Sequence, residues 1–327
     1  MSRHGHEPSQ HSDRPFCLIQ CEICQAAILR AALRHCFRPQ LTLDWGVIDL
    51  KDDEGGSPVP ASVLAALQSS GFPFQTAVAH VINPSIGWEL HSSEYPWHTP
   101  NGDSHFLDIV ATNRVVFLAI ECKKTRKEFY TFLRPLSLSH TGLVETFRCL
   151  RAKQIPDSTR RVELFCEEWA VSPKSTASEF CVVSTSTSGK DQRLLERDAG
   201  MLVRATDAFA QDFRQRFRAD LDPAPSTACL FLPVIVTNAP IYTTRYRPTD
   251  VSLDTGEFSV PPREIDNVPW VRFRKAFTSD DGADLGERSV FVIHAASFTE
   301  FLKQVAPAPV QPDEKASVHF SGRSSAR

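Results

Sequence analysis

The chain has 327 residues, 42% of them hydrophobic and 23% charged, which is ordinary globular material and long enough for one large domain or two small ones. A formal net charge of −3 gives no global electrostatic case for a nucleic-acid partner, although a local basic groove stays compatible with it. Nine cysteines follow a polar leader, MSRHGHEPSQHSDRP, that runs into no apolar signal segment, a combination that favours reduced thiols and a cytoplasmic protein over a secreted disulfide scaffold.

In chain order, residues 1–15 read as a flexible tail and 16–60 as a helical extension and linker, with Cys17 to Phe37 helical and KDDEGGSPVP the boundary. Cys17, Cys21 and Cys24 have the CxxxCxxC spacing of an iron–sulfur site, and His35 and Cys36 lie near enough to suggest zinc. Those cysteines and Ile28 also share one helical face, so they are read as small apolar residues. Residues 61–304 alternate helical and extended patterns, which predicts an α/β domain: a mixed sheet with helices on its faces. Helices are expected over 61–68, 72–82, 190–217 and 297–305, and strands at WELHSSEY, HFLDIVAT, VVFLAIECK, FCVVSTSTS, ACLFLPVIVTNA, PWVRFRKAF and SVFVIHAA. The stretch 135–177 shows no clear period, and 305–327 reads as a second tail. Along 190–217 the charges of Arg193, Arg197, Arg204 and Arg214 alternate with Asp191, Asp198, Asp207 and Asp212, the pattern of a solvent face. The apolar runs are too short to span a membrane.

Charge in the run FLDIVATNRVVFLAIECKKTRK, 106–127, needs a reason, because charged residues are rarely buried unless paired or bound to metal. Alternation puts Glu121 and Lys123 on one face of their strand, about 7 Å apart, with Cys122 turned the other way. A turn at Asn113 and Arg114 would set Asp108 opposite a residue near 119, leaving Glu121 a diagonal neighbour. Asp108 and Glu121 are hard oxygen ligands suited to Mg²⁺ or Mn²⁺, and the main-chain carbonyl of Cys122 is a further candidate. Lys123 could orient or deprotonate a water and offset charge on a phosphate. Lys124, Arg126 and Lys127 continue this into a basic cluster.

The order helix, strand, Asp-bearing strand and Glu-x-Lys-bearing strand resembles the PD-(D/E)xK nuclease superfamily, with Asp108, twelve residues, then Glu121, Cys122 and Lys123. The phrases GFPFQTAVAHVI, GWELHSSEYPW, FLDIVATN and AIECKK carry the resemblance, which covers about 63–188 well and 190–237 in outline. It implies a restriction endonuclease-like mixed β-sheet core flanked by helices, with additional C-terminal strands. It also implies a Mg²⁺- or Mn²⁺-dependent phosphodiesterase acting on nucleic acid, DNA in preference to RNA. Where many members carry a supporting Glu on the first helix, this chain has Gln75, and Leu107 stands where a proline is common. Two other readings follow from the same residues: a nucleic-acid-binding or scaffolding protein that keeps the fold without cleavage, and a metal-binding module built on the N-terminal cysteines.

Overall fold

The computed structural model describes residues 60–307 and 318–319, apart from 100, 114–115, 126–127, 137–142, 155–161, 184–193, 220–228, 263 and 279–283. The N-terminal extension and its cysteines lie outside the described residues. Helix α1 (Ala61–Ser69) follows Pro60 and buries none of its side chains. Helix α2 (Phe72–Val81), with proline in its first turn, puts Val78 into the core. Gly87, at φ +81°, ends the next short turn in a conformation that glycine adopts without steric cost.

Strands β1 (Glu89–His98), β2 (Ser104–Asn113) and β3 (Val116–Lys123) then form an antiparallel meander. Four strands follow: β4 (Tyr130–Pro135), β5 (Leu143–Gln154), β6 (Val162–Ser178) and β7 (Phe180–Val183). The long helix α3 (Leu194–Ala219) precedes β8 (Cys229–Thr237), β9 (Ile241–Tyr246), β10 (Glu264–Asn267), β11 (Trp270–Thr278) and β12 (Asp284–His294). Helix α4 (Phe298–Gln304) follows, and the short β13 (Ala306–Pro307) and β14 (Val318–His319) both pair with β6. No helix among the described residues is long and apolar enough to cross a membrane.

The expected open sheet flanked by helices is not what forms. The protein is mostly β, and β5, β6, β11, β12 and β8 close into a five-strand mixed barrel, because β5 pairs with β8 as well as with β6. The hairpin that makes the closure lies in 143–178, where the sequence showed no period. Its charges are paired with one another: Arg151 meets Glu167 at 2.9 Å, and Arg274 of β11 meets Glu168. A strand that buries such pairs loses its apolar alternation.

Three of the five pairings around this ring are antiparallel, an odd number that straight strands cannot close. The ribbon resolves this by turning a corner. Thr146 pairs with Ala170 and Val144 with Ser175, so four residues of β6, 171–174, face the single residue 145. The guanidinium of Arg272, 1% exposed, braces that corner by donating to the carbonyl oxygens of Thr146 at 2.7 Å, Pro173 at 2.8 Å, and Val171.

The meander joins the barrel through β8, whose length runs parallel to β3 from Val116–Leu230 to Lys123–Thr237. Side chains then divide by face. Phe117 and Ala119 of β3 pack with Phe231 of β8 and with Leu195, Ala199, Leu202, Phe209 and Phe213 of α3. On the other face, Leu118 and Ile120 pack with Val78, Trp88, Phe291 and Phe301, under α2 and α4. A strand buried on both faces reads as a continuous apolar run, which is why VVFLAI has no polar alternation.

Candidate active site

Past Ile120 the apolar run stops and the strand faces keep alternating, so Glu121 and Lys123 continue the face of Phe117 and Ala119, toward α3. Cys122 turns to the opposite face and packs against the cluster under α2, as its position in the sequence suggested. Burial pushes its thiol well above the ordinary range, so the sulfur is a small apolar filler there.

The register differs from the sequence reading. Asn113 pairs with Val116, and Ile109 with Ile120, so the next step of the ladder sets Asp108 opposite Glu121 and not opposite residue 119. The shift of two in partner numbering leaves the faces unchanged. The two carboxylates thus lie one step past the last pair of the ladder, near enough for the charge of Glu121 to act on Asp108. One oxygen of Asp108, Oδ2, accepts the main-chain N–H of Cys122 at 2.7 Å, which fixes the carboxylate beside the Glu-x-Lys end of β3.

Two further acids belong to this place. The β1–β2 ladder pairs Ser93 with Ile109 and Tyr95 with Leu107, which puts Glu94 opposite Asp108. By continuation of the two ladders, Glu94, Asp108 and Glu121 fall on one rung of three adjacent strands, and the charge of Glu94 acts on both of the others. Glu94 has φ +52°, a left-handed conformation uncommon for this residue type, and such backbone persists only where the surroundings hold it. Gln75 of α2 does so: its side-chain N–H₂ donates to Glu94 Oε1 and, at 3.1 Å, to the main-chain oxygen of Asp108. Asp198, near the start of α3, meets the Lys123 ammonium at 3.3 Å, and Glu121 meets it at 2.9 Å. Asp198 is thus turned into the protein, as are the buried Arg204 and Asp207, so this stretch of α3 is not the solvent face its alternating charges suggested.

Both added acids carry a sequence signal. The phrase HTPNGDS is a tight-turn pattern, and closing a hairpin at His98 and Ser104 counts Glu94 directly onto Asp108. Asp198 stands three residues after Leu195 and four before Leu202, on the apolar stripe of its helix.

The electrostatics follow from burial and crowding. Asp108 is pushed up to about 7, first by burial and then by the charge of Glu121. Glu121 is also raised by burial, with Lys123 opposing. For Lys123, burial alone would lower the value, but Glu121 and Asp198 outweigh it and hold the amine firmly as an ammonium. Lys124 does not join a phosphate-facing cluster: its ammonium donates to the carbonyl oxygens of Gln68 and Ser70 at the C-terminus of α1. Arg126 and Lys127 lie outside the described residues.

No three His, Cys, Asp or Glu side chains among the described residues gather tightly enough to hold a metal ion by themselves. A Mg²⁺-type ion needs less than that, since it keeps several waters and is held by one or two carboxylates plus phosphate oxygens. Asp108 and Glu121, half-buried neighbours that both resist ionisation, fit such an ion as an oxygen donor pair. The main-chain carbonyl of Cys122 lies between Glu121 and Lys123 as a third candidate. No family model, curated protein or solved structure matches the chain, so the site is interpreted from its own geometry.

Proposed function

We propose that the protein is a metal-dependent nuclease that hydrolyses phosphodiester bonds, in DNA by preference, with Asp108 and Glu121 holding Mg²⁺ or Mn²⁺ and Lys123 beside them. The observation that carries this reading is the convergence of Asp108 and Glu121 one step past the Ile109–Ile120 pair, with the Lys123 ammonium 2.9 Å from Glu121. The resemblance of this Asp and Glu-x-Lys set to the PD-(D/E)xK nucleases points the same way, although the barrel is not the fold it implied. When bound, a divalent cation supplies positive charge to a phosphoryl oxygen and makes a bound water more acidic.

The chain's own groups do the rest. In the hydrolysis, the water oxygen bonds to phosphorus as the ester P–O bond breaks, and negative charge grows on the non-bridging oxygens. Lys123, held as an ammonium, is suited to offset that charge and not to take the proton from water. Asp108 is kept in place by the Cys122 N–H, and Gln75 holds Glu94 and the β2 backbone against α2 without adding a further charge.

The test uses the full chain with supercoiled, linear and single-stranded DNA and with RNA, in Mg²⁺, in Mn²⁺ and in EDTA. Cleavage is expected only with the cation, and Asp108→Asn, Glu121→Gln and Lys123→Met should each lower the rate at least about 100-fold, the scale of losing one group that stabilises developing charge. Binding without cutting would transfer the site to a nucleic-acid-binding protein. Cutting unchanged by all three substitutions would refute the catalytic assignment.

A further inference from the structure

Among the described residues Lys123 has two carboxylate partners, and one of them is not explained by its own strand. Glu121 stands two residues before it on the same face, so a lysine here would fold back onto Glu121 whatever lay around it. Asp198 comes from a different element, 75 residues on, and its position is not adjustable. It is flanked on α3 by Leu195, Ala199 and Leu202, all buried against β3 and β8. Its side chain is 19% exposed, and its second oxygen, Oδ1, stands 4.0 Å from the exposed Arg197. Buried Thr237 is the β8 partner of Lys123, and buried Tyr130 lies within reach of the Asp198 charge.

We infer that Asp198 is a positioning residue that draws the Lys123 ammonium partly off Glu121 and so leaves the Glu121 carboxylate available to a divalent cation. This inference rests on the metal-dependent reading of the site. An ammonium has three N–H donors. With Glu121 at 2.9 Å and Asp198 at 3.3 Å it is shared between them, and a donor is left for a substrate oxygen. Without Asp198, Lys123 has Glu121 as its only carboxylate partner, and a cation arriving there competes with a full ion pair. Asp198 thus acts on the cation through Lys123, whereas Glu94 and Asp108 act on it as charges on the rung itself.

A double-substitution cycle separates action through Lys123 from direct attraction or a structural role. Mn²⁺ affinity is measured by electron paramagnetic resonance for the wild type, Asp198→Asn, Lys123→Met and the double variant, with cleavage rates on the same preparations. Asp198→Asn is expected to weaken Mn²⁺ binding about tenfold, within the range of couplings inside one ion-pair network. Lys123→Met should strengthen binding, and adding Asp198→Asn to Lys123→Met should change it less than about twofold, because the intermediary is gone. Asp198→Glu, which keeps the charge, should recover most of the affinity. An equal loss with and without Lys123, or no loss at all, would overturn the inference while leaving the nuclease reading intact. A wild-type protein that neither binds Mn²⁺ nor cuts would overturn the nuclease reading and this inference with it, whereas binding without cutting leaves the cycle fully informative.

Discussion

Gln75 shows how one amide changes what its neighbours can be. Both of its contacts need a donor, since Glu94 Oε1 and the main-chain oxygen of Asp108 are acceptors. A carboxylate at this position, which the superfamily resemblance would lead one to expect, could make neither bond and would add a negative charge next to Glu94, Asp108 and Glu121. Gln75→Glu should therefore cost about 1–3 kcal/mol in EDTA, through lost hydrogen bonds and repulsion. For a domain of this size that lowers Tm by roughly 3–8 °C, and Mn²⁺ should recover more of it in the variant than in the wild type. A variant with unchanged Tm in EDTA would show that Gln75 does not support the acidic rung. At this scale Asp108, Glu121 and Lys123 were legible in the sequence, because abrupt charge at the end of a doubly buried strand stands out. Glu94 is reached only by counting back from the HTPNGDS turn, because its strand is mostly exposed and one more acid there has no contrast of its own.

Among the elements, the meander was readable and the barrel was not, for a physical reason. β2 and β3 are two residues apart in the chain, so local alternation and turn-forming residues in the sequence nearly determine their pairing, to within the two-position register difference. The β5–β8 ladder joins Leu150–Ala152 to Cys229–Phe231 across the whole of α3, and nothing local encodes a pairing of that span. The buried ion pairs of β5 and β6 hid even the hairpin itself. Arg272 belongs to the same hidden layer. In the sequence it is one cation in PWVRFRKAF, but in the fold its planar fork reaches three carbonyl oxygens at the β6 corner while its carbon stands 5.2 Å from the Phe291 ring. Arg272→Met keeps the length and removes every donor, leaving those carbonyls buried without it. The expected loss is about 3–5 kcal/mol by urea denaturation, with Arg272→Lys in between because a single ammonium cannot match the fork. A loss below about 1 kcal/mol would mean that the corner is held by its backbone ladder alone.

For the molecule as a whole, the buried ionisable groups make an argument about pH. Asp207 of α3 is pushed up to about 7 by burial, and Arg288 of β12, 3.8 Å away, only partly opposes this. Asp108 is raised to about 7 as well, and Glu121 is raised in the same sense. Each of these acids holds its proton more tightly when folded than in the unfolded chain, where a carboxyl titrates near 4. Between about pH 4 and about pH 7 the folded state thus binds protons that the unfolded state has lost, and stability falls as pH rises through that window. His91 works the other way. Its value is lowered to about 4, by burial first and Arg216 second, so its share of stability grows with pH up to the ordinary histidine range. Three acids against one histidine leave a net decline, and above the histidine range only the acids still act. In EDTA, Tm is therefore expected to fall from about pH 5 to about pH 8. Asp207→Asn should flatten that slope irrespective of metal. Asp108→Asn should flatten it in EDTA, and Mn²⁺ should do so in the wild type by compensating the ionised rung. A Tm that climbs steadily to about pH 8 in EDTA would mean that the paired carboxylates elsewhere outweigh these acids, and that burial does not hold Asp108 and Asp207 protonated.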